Sequence, residues 1–184
     1  MYKIVQAPHQ ILSTAAQPVP KNLPGLKRII EEMRDTLLAQ VDPEGVGLAA
    51  NQVNLPYKLF LARFSTKKTE PVRVFINPEI TSHSDDFQPE KYKDAPLEGC
   101  LSIPKFYGVV KRFAWVQLKF QNEKFEEKNE RFAGFPAVVI QHEMDHLTGN
   151  VFMEKLLEQK GRIYRVTGKD KKGKDEWEEV DLCG

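Results

Sequence analysis

Two histidines four residues apart, in the run Gln141-His142-Glu143-Met144-Asp145-His146, constrain this chain more than any other feature. On a helix, residues at this spacing lie on one face, so the two imidazoles can bind one metal ion together. Glu143 follows the first histidine and can act as a general base toward a water molecule at that ion. Pro136 suits a first helical turn and Gly149 suits a helix end. The pattern therefore predicts a short, partly buried helix and favours metal-assisted hydrolysis.

A single cysteine in an apolar segment offers a third metal ligand. Cys100 lies within residues 97–104, and Cys183 is the other cysteine of the 184-residue chain, so there is no disulfide framework. In a reducing compartment, the Cys100 thiolate is free to bind metal. Together with His142 and His146 it would form a three-ligand site, which leaves a coordination position open for water, as in catalytic metal sites.

Small residues follow one another in the segment Gly45-Val46-Gly47-Leu48-Ala49-Ala50-Asn51-Gln52. The glycines at 45 and 47 permit an extended ligand to approach the main chain closely, and Gln52 supplies an amide donor at the end of the segment. Taken alone, the segment is also typical of a turn followed by a core element.

These three regions together resemble the signature motifs of peptide deformylases. The small-residue segment, Glu98-Gly99-Cys100-Leu101-Ser102 and the histidine run match those motifs in order and in approximate spacing, and the resemblance covers the chain from about residue 4 to about residue 156. It implies a metal-dependent hydrolase that removes the N-terminal formyl group from formylmethionine of newly synthesised polypeptides and releases formate. It also implies that N-formyl-methionyl nascent peptides are the partners.

The resemblance implies a role for each site residue. The metal ligands would be Cys100, His142 and His146. The catalytic residues would be Glu143 as the general base, with the Gln52 amide and the Leu101 backbone N–H stabilising charge on the formyl oxygen. The substrate-binding residues would be Gly45, Val46, Gly47, Tyr107, Phe135 and Val138. The glycine segment would pair with the peptide as a strand edge, and the apolar side chains would bind methionine. Phe135 and Val138 are equally consistent with plain packing residues.

Two positions depart from the family pattern. Tyr107 stands where many bacterial deformylases have an arginine, and Ser13 stands where an arginine often follows the N-terminal leucine. The first concerns the pocket, and neither concerns the metal chemistry. One thiolate and two imidazoles suit several divalent ions. The resemblance implies a single divalent ion, Fe²⁺ in the cell, for which Zn²⁺, Ni²⁺ or Co²⁺ can substitute.

Two other functions fit parts of the pattern. A zinc-dependent endopeptidase would use the two histidines and Glu143 with a downstream acidic ligand, either Glu154 or Glu158, and would not need Cys100. A structural zinc module would close the site with a fourth ligand, one of Cys183, His9 and His83. In a structural module Glu143 and the small-residue segment would have no purpose.

Length and charge favour one catalytic domain over residues 1–184, with a charged C-terminal extension from about residue 157. A formal net charge of +1 gives no overall electrostatic case for nucleic acid or an anionic membrane, and no apolar run is long enough to span a bilayer. No signal or transit pattern precedes the folded sequence, so we expect the bacterial cytoplasm, with a mature organellar form as the alternative. We also expect a monomer.

The hydrophobic patterns predict an α+β fold with antiparallel sheets wrapped around a central metal-binding helix and an N-terminal amphipathic helix packed on the outside. The amphipathic helix is predicted over residues 23–40 with Asn22 as a cap. Strands are predicted at 58–64, 72–76, 109–112 and 115–120, and a surface loop at 81–95. A solvated tail or frayed helix is predicted beyond residue 156. A basic tail could contact the ribosome transiently, although carboxylates largely cancel the lysines there.

Overall fold

Antiparallel strands and three helices form the protein in the computed structural model, which describes residues 1–67, 69–88 and 97–180. The helices are α1 (Leu26–Leu38), α2 (Phe135–Leu147) and α3 (Phe152–Glu158), with 3₁₀ helices at Gln10–Ser13 and Ala50–Val53. The strands are β1 (Gly47–Ala49), β2 (Leu59–Ala62), β3 (Arg73–His83), β4 (Glu98–Cys100), β5 (Ile103–Gly108), β6 (Trp115–Gln121), β7 (Glu127–Ala133), β8 (Ile163–Lys169) and β9 (Asp175–Val180). They form a five-stranded sheet in the order β1-β2-β3-β6-β7 and a four-stranded sheet in the order β4-β5-β8-β9. The predicted α+β class with antiparallel sheets is confirmed.

Helix α2 forms where the histidine spacing predicts it. Pro136 lies in its first turn, where a missing N–H costs nothing, and Gly149 follows its end with a φ of 79°. A side chain at Gly149 would meet the backbone of Ser13, so the exit from the helix is also tightly packed. The apolar residues of the helix are not confined to one face, which is typical of a buried helix. It contacts β1, β2 and β7.

Helix α1 is shorter than predicted. Gly25 precedes it with a φ of 75°, a left-handed conformation that interrupts the predicted helix, and so the cap predicted at Asn22 is wrong. The predicted apolar face is correct, because Ile30, Met33 and Leu37 are buried in one core with residues of β1 and β2. None of the helices in the described ranges has the length and apolar content needed to cross a membrane.

Three predicted strands correspond to β2, β3 and β6, but the strand predicted at 109–112 is wrong. Arg112 there turns its side chain into the interior to meet two carboxylates. The loop predicted at 81–95 is partly wrong, because β3 continues to His83, whereas residues 89–95 of that prediction lie outside the described ranges. Strands β1, β4, β5 and β7 were not predicted. β1 and β4 have three residues each, β5 contains a proline, and β7 is mostly polar and charged.

The charged C-terminal segment is a β-hairpin. β8 pairs with both β5 and β9, so the predicted tail or frayed helix is wrong for residues 163–180. Charged residues are tolerated in β9 because they are mostly exposed to solvent. Residues 181–184, including Cys183, lie outside the described ranges.

Candidate metal centre

Strand β4 and helix α2 bring the three predicted ligands together. The ligand atoms of Cys100, His142 and His146 all lie within 4.8 Å of one another. Cys100 Sγ is 3.2 Å from His146 Nε2. Cys100 and His146 are buried, and His142 lies at the more open side with 11% of its side chain exposed. A thiolate and two imidazoles around one point suit a divalent transition metal, so the residues fit a metal ion.

A buried ion-pair network orients His142. Its Nδ1 lies 3.0 Å from Glu98 Oε2, which leaves Nε2 free to bind a metal. The Arg112 guanidinium donates to both carboxylate oxygens of Glu98 at 2.8 Å, and its Nη1 donates to Asp145 Oδ2 at 2.6 Å. The Arg112 and Glu98 side chains are only 5% and 7% exposed. The imidazole is therefore held by a carboxylate that is itself fixed on both oxygens.

The charges of this network govern the protonation of its members. Burial raises the pKa of the Glu98 carboxyl, but the charge and hydrogen bonds of Arg112, with His142, lower it to about 2. Burial likewise raises the pKa of the Cys100 thiol, but His146 and His142 lower it to about 5. Burial lowers the pKa of His142, but hydrogen bonds to Cys100 and Glu98 raise it well above its ordinary value. Cys100 is thus available as the thiolate that metal binding requires.

Glu143 lies against β1, beside the ligands. It is 3% exposed, and its Oε2 has no hydrogen-bond partner among the residues that the structure describes. Burial raises its pKa to about 7, against the lowering effect of His142 and His146. A Cβ atom at Gly47 would lie 2.0 Å from Glu143 Oε1, so only glycine at 47 leaves room for this carboxylate.

Gln52, on the 3₁₀ helix at Ala50–Val53, directs its side-chain amide toward the metal-ligand group. Its Oε1 accepts a hydrogen bond from the Ala49 backbone N–H at 2.9 Å. Its Nε2 is 3.2 Å from Ser102 Oγ and 3.5 Å from Cys100 Sγ. The accepted bond settles which end of the amide faces the site, so that an N–H donor is directed toward the ligands.

A cavity of about 240 Å³ opens onto these groups. Every predicted site residue lines it except His146, which is buried. Lining residues that were not predicted are Pro43, Glu44, Leu97, Glu98, Gly99 and Val139. The Tyr107 ring lies over the backbone of Gly99, where an added Cβ atom would be 2.5 Å from the ring. Phe135 is 41% exposed at the rim, and Val138 is buried.

The motifs of this site are those of a known family. A model described as polypeptide deformylase matches residues 1–162. The chain belongs to the polypeptide deformylase family. Members of the polypeptide deformylase family are metal-dependent hydrolases that remove the N-terminal formyl group from nascent polypeptides, and a protein of this family acts in protein biosynthesis.

Relatives of this deformylase are similar over most of its length. A peptide deformylase from Phenylobacterium zucineum is 40% identical over 157 residues, which cover 84% of this chain and 86% of the relative. The crystal structure of the peptide deformylase from Thermotoga maritima has a TM-score of 0.73 at 32% identity and covers 84% of this chain and 97% of that one. A Met-Ala-Ser-bound class I type b peptide deformylase from Acinetobacter baumannii has a TM-score of 0.73 at 30% identity, with the same two coverages of 84% and 97%.

The candidate ligands of the two alternative functions that lie in the described ranges are not part of the three-ligand group. Glu154 accepts a hydrogen bond from the Val151 backbone N–H at 2.9 Å, at the start of α3. His9 accepts from the Ile11 backbone N–H, and His83 stacks on Phe113. In the described ranges, no carboxylate or further histidine joins the three-ligand group. Cys183 lies outside those ranges.

The network behind His142 was missed by sequence analysis. Glu98 is part of the cysteine motif and Asp145 part of the histidine run, but Arg112 was placed in a strand. The available signal was Glu98 itself. A carboxylate two residues before a ligand cysteine is unusual in an apolar run. The partner of that carboxylate could not be read, because Arg112 is fourteen residues away and no local period connects the two.

Proposed function

We propose that this chain hydrolyses the formyl group of N-formyl-methionyl nascent peptides at the site formed by Cys100, His142, His146 and Glu143. The observation that carries the proposal is the meeting of three metal-ligand atoms within 4.8 Å at a cavity that Glu143 also lines. An open cavity beside three ligands is what a catalytic metal site needs, whereas a structural zinc site uses a fourth protein ligand.

Cys100, His142 and His146 would hold the metal ion. When bound, a divalent ion there supplies Lewis-acid chemistry, polarising a carbonyl group and acidifying water. Glu98 keeps the His142 ring oriented by accepting its Nδ1–H, and Arg112 keeps Glu98 ionised and in place. The ligand set is thus organised before substrate binds.

Glu143 would serve as the general base and then as the acid. Its carboxylate lies at the cavity wall with one oxygen free of partners among the described residues. It accepts a proton from the attacking water and returns a proton to the departing amine as the bond between the formyl carbon and nitrogen breaks. The products are formate and a peptide with a free amino terminus.

Gln52 and Leu101 would stabilise the negative charge that develops on the formyl oxygen. The Gln52 Nε2 lies 3.5 Å from Cys100 Sγ, and the hydrogen bond that Oε1 accepts from the Ala49 N–H supports this orientation. Leu101 follows Cys100 directly and lines the cavity, which places its backbone N–H beside the metal ligand. Pre-organised donors of this kind lower the barrier because they need no rearrangement during the reaction.

The peptide would bind along the free edge of β1. β1 is a terminal strand of the five-stranded sheet, and β4, with Gly99 and Cys100, is a terminal strand of the other sheet. Gly45, Val46 and Gly47 border the cavity at this edge. Main-chain pairing there tolerates any downstream sequence, as a processing enzyme requires.

The methionine side chain would bind among Val46, Tyr107, Phe135 and Val138. All four line the cavity, and Phe135 keeps a large apolar surface exposed at its rim. An apolar pocket beside polar chemistry suits an unbranched thioether side chain. The Met-Ala-Ser peptide bound to the Acinetobacter baumannii relative supports a substrate that begins with methionine.

The proposal includes Fe²⁺ as the ion in the cell, with Zn²⁺, Ni²⁺ or Co²⁺ as substitutes. The ligand set accepts each of them. Because Cys100 is a thiolate ligand, the iron form is expected to lose activity in air through oxidation of metal and sulfur. Metal analysis and formate release before and after exposure to oxygen test this, and an iron form that is stable in air would contradict it.

The proposal also extends to the organisation of the molecule. Residues 1–184 form one catalytic domain with a charged C-terminal extension from about residue 157, and the sheets wrap around α2 with α1 on the outside. The contacts of α2 with β1, β2 and β7 of the five-stranded sheet, and of His146 with Cys100 of the other sheet, support the position of α2 between the sheets. The protein acts as a monomer in the bacterial cytoplasm, where formylated chains are made. The proposal extends to a transient contact with the ribosome at most, because carboxylates balance the lysines of the extension and argue against strong binding to RNA.

The test is the product analysis of formyl-Met-Ala-Ser with anaerobically prepared, iron-loaded protein. We expect formate and intact Met-Ala-Ser in equal amounts, and no reaction after the metal is removed by a chelator. Fragments cleaved at internal peptide bonds would instead support the endopeptidase. Retention of metal by Cys100→Ala would also contradict the proposal, because an endopeptidase site would not need that thiolate.

A further inference from the structure

A second groove, of about 350 Å³, continues from the site cavity. Pro43 and Tyr107 line both the groove and the cavity, so the two spaces meet at these residues. Pro104 and Lys105 of β5 form one side of the groove. The other side is the C-terminal hairpin, including Val166, Thr167 and Lys169.

The hairpin is held against the cavity at two points. The Trp177 ring of β9 meets the Tyr107 ring edge-on, with centroids 4.9 Å apart. Val166 pairs with Trp177 across the hairpin, so their side chains share one face. At the other point, Lys169 Nζ lies 3.1 Å from Asp42 Oδ2, next to the shared Pro43. The hairpin wall thus contacts Tyr107 and Asp42, the residue before Pro43, close to where the groove meets the cavity.

This wall lies outside the residues that the family model matches. The match ends at residue 162, and β8 begins at Ile163. Side chains that line the groove from this segment are therefore separate from the three signature motifs of the catalytic site. They lie beside Tyr107, where the groove meets the cavity.

We propose that this groove binds the residues that follow formylmethionine in the nascent peptide. The inference rests on the proposed function, which places the formyl end at Glu143 and the methionine in the cavity. An extended peptide advances about 3.3 Å per residue, so a few residues beyond methionine suffice to reach a neighbouring groove. The groove carries charges of both signs, with Lys169 between Asp42 and Asp175, which suits many sequences.

A charge placed on the groove wall tests the inference. The variant is Val166→Asp, and its matched control is Arg165→Ala. Both changes alter the net charge by one unit in the same direction at adjacent positions of β8. Arg165 does not line the groove and pairs with Glu178 at 2.8 Å. Thr167→Asp, on the same wall and exposed, replaces Val166→Asp if that variant fails to fold.

The substrates are formyl-Met pentapeptides of alanine with one lysine or one glutamate scanned through positions two to five. The readout is the ratio of kcat/KM for the lysine peptide to that for the glutamate peptide. We expect Val166→Asp to raise this ratio about threefold to tenfold at one or two positions. The added carboxylate attracts the lysine of one peptide and repels the glutamate of the other at an exposed site. Arg165→Ala is expected to leave the ratio unchanged.

A ratio that is unchanged at every position in both aspartate variants would overturn the inference, as would an equal rise in Arg165→Ala. Neither result affects the proposed function, because wild-type protein would still release formate from all the peptides. Absence of formate release by metal-loaded wild type would instead overturn the proposed function itself.

Discussion

Two arginine–carboxylate contacts in this molecule have the same distance and opposite surroundings. Arg112 and Glu98, behind the metal ligands, lie 2.8 Å apart and are 5% and 7% exposed. Arg165 and Glu178, on the C-terminal hairpin, also lie 2.8 Å apart, but are 50% and 54% exposed. The first pair lies in the family match and the second beyond it.

The comparison teaches that burial, and not contact distance, determines how much an ion pair contributes to the free energy of unfolding. Two exposed charges that pair give up contacts with water, so the pair adds little to stability. A buried charge that loses its partner has no water to replace that partner, so the loss is costly. The same contrast holds for glycines. Gly47 faces the Glu143 carboxylate without room for a methyl group, while a Cβ atom at Gly168 would meet only Glu176, at 3.6 Å.

The largest expected effect comes from Glu143→Gln, which keeps the shape of the buried side chain and removes the general base. We expect kcat to fall by about 10² to 10⁴, the usual contribution of a positioned acid or base. Metal content should stay at the wild-type level, since Glu143 is not among the three ligands. Formate release at matched metal content is the measurement. Turnover near the wild-type rate would mean that another group moves the proton.

Arg112→Ala against Arg165→Ala tests the comparison directly. We expect the first to lower the free energy of unfolding by about 3 to 5 kcal/mol, because Glu98 is left buried and unpaired. The second should cost about 0 to 1 kcal/mol. Urea unfolding of both variants, each loaded with the same metal, measures the difference. Equal losses would break the comparison.

Gly47→Ala against Gly168→Ala extends the test to packing. At Gly47 the added methyl group would displace the Glu143 carboxylate, and we expect a fall in kcat of about 100-fold, as for a misplacement of about 1 Å at a reacting group. Gly168→Ala should keep wild-type kcat. The readout is formate release from formyl-Met-Ala-Ser, with circular dichroism to confirm that both variants fold. Full activity of Gly47→Ala would show that the carboxylate can work from another position.

Glu98→Gln is expected to have the smallest effect of the site changes. The amide can still accept the His142 Nδ1–H, but it loses the charge that orients the ring and holds Arg112. We expect metal affinity to fall about 10-fold to 100-fold, as for other partners of metal-bound histidines. Glu178→Gln on the hairpin is the control and should bind metal like wild type. Competition with a chelator of known affinity measures the metal affinity of both variants. An unchanged affinity in Glu98→Gln would mean that the Glu98 charge does not support metal binding by His142.

Much of the site was predictable because its strongest signals are local. The helix from Phe135 to Leu147 forms where the histidine spacing predicts it, and residues four apart on a helix share a face. The α+β class and the strands at β2, β3 and β6 follow from runs of apolar and β-branched residues. By contrast, β7 and β9 carry many charged residues, and such strands are recognised only through the neighbours they pair with. The helix start at Leu26 was missed because a single left-handed glycine decides it.

The sequence by itself determined the chemistry available to this protein: a thiol, two imidazoles four residues apart, a carboxylate beside them and a small-residue segment that matches a known family. These are properties of residue type and of helix geometry, which act over one or two turns. Only the tertiary structure decided that Arg112 fixes Glu98 behind His142, that Gly47 makes room for Glu143, and that the charged C terminus is a hairpin beside the site. The physical reason is that such contacts join residues far apart in the chain, and packing, not local spacing, brings them together.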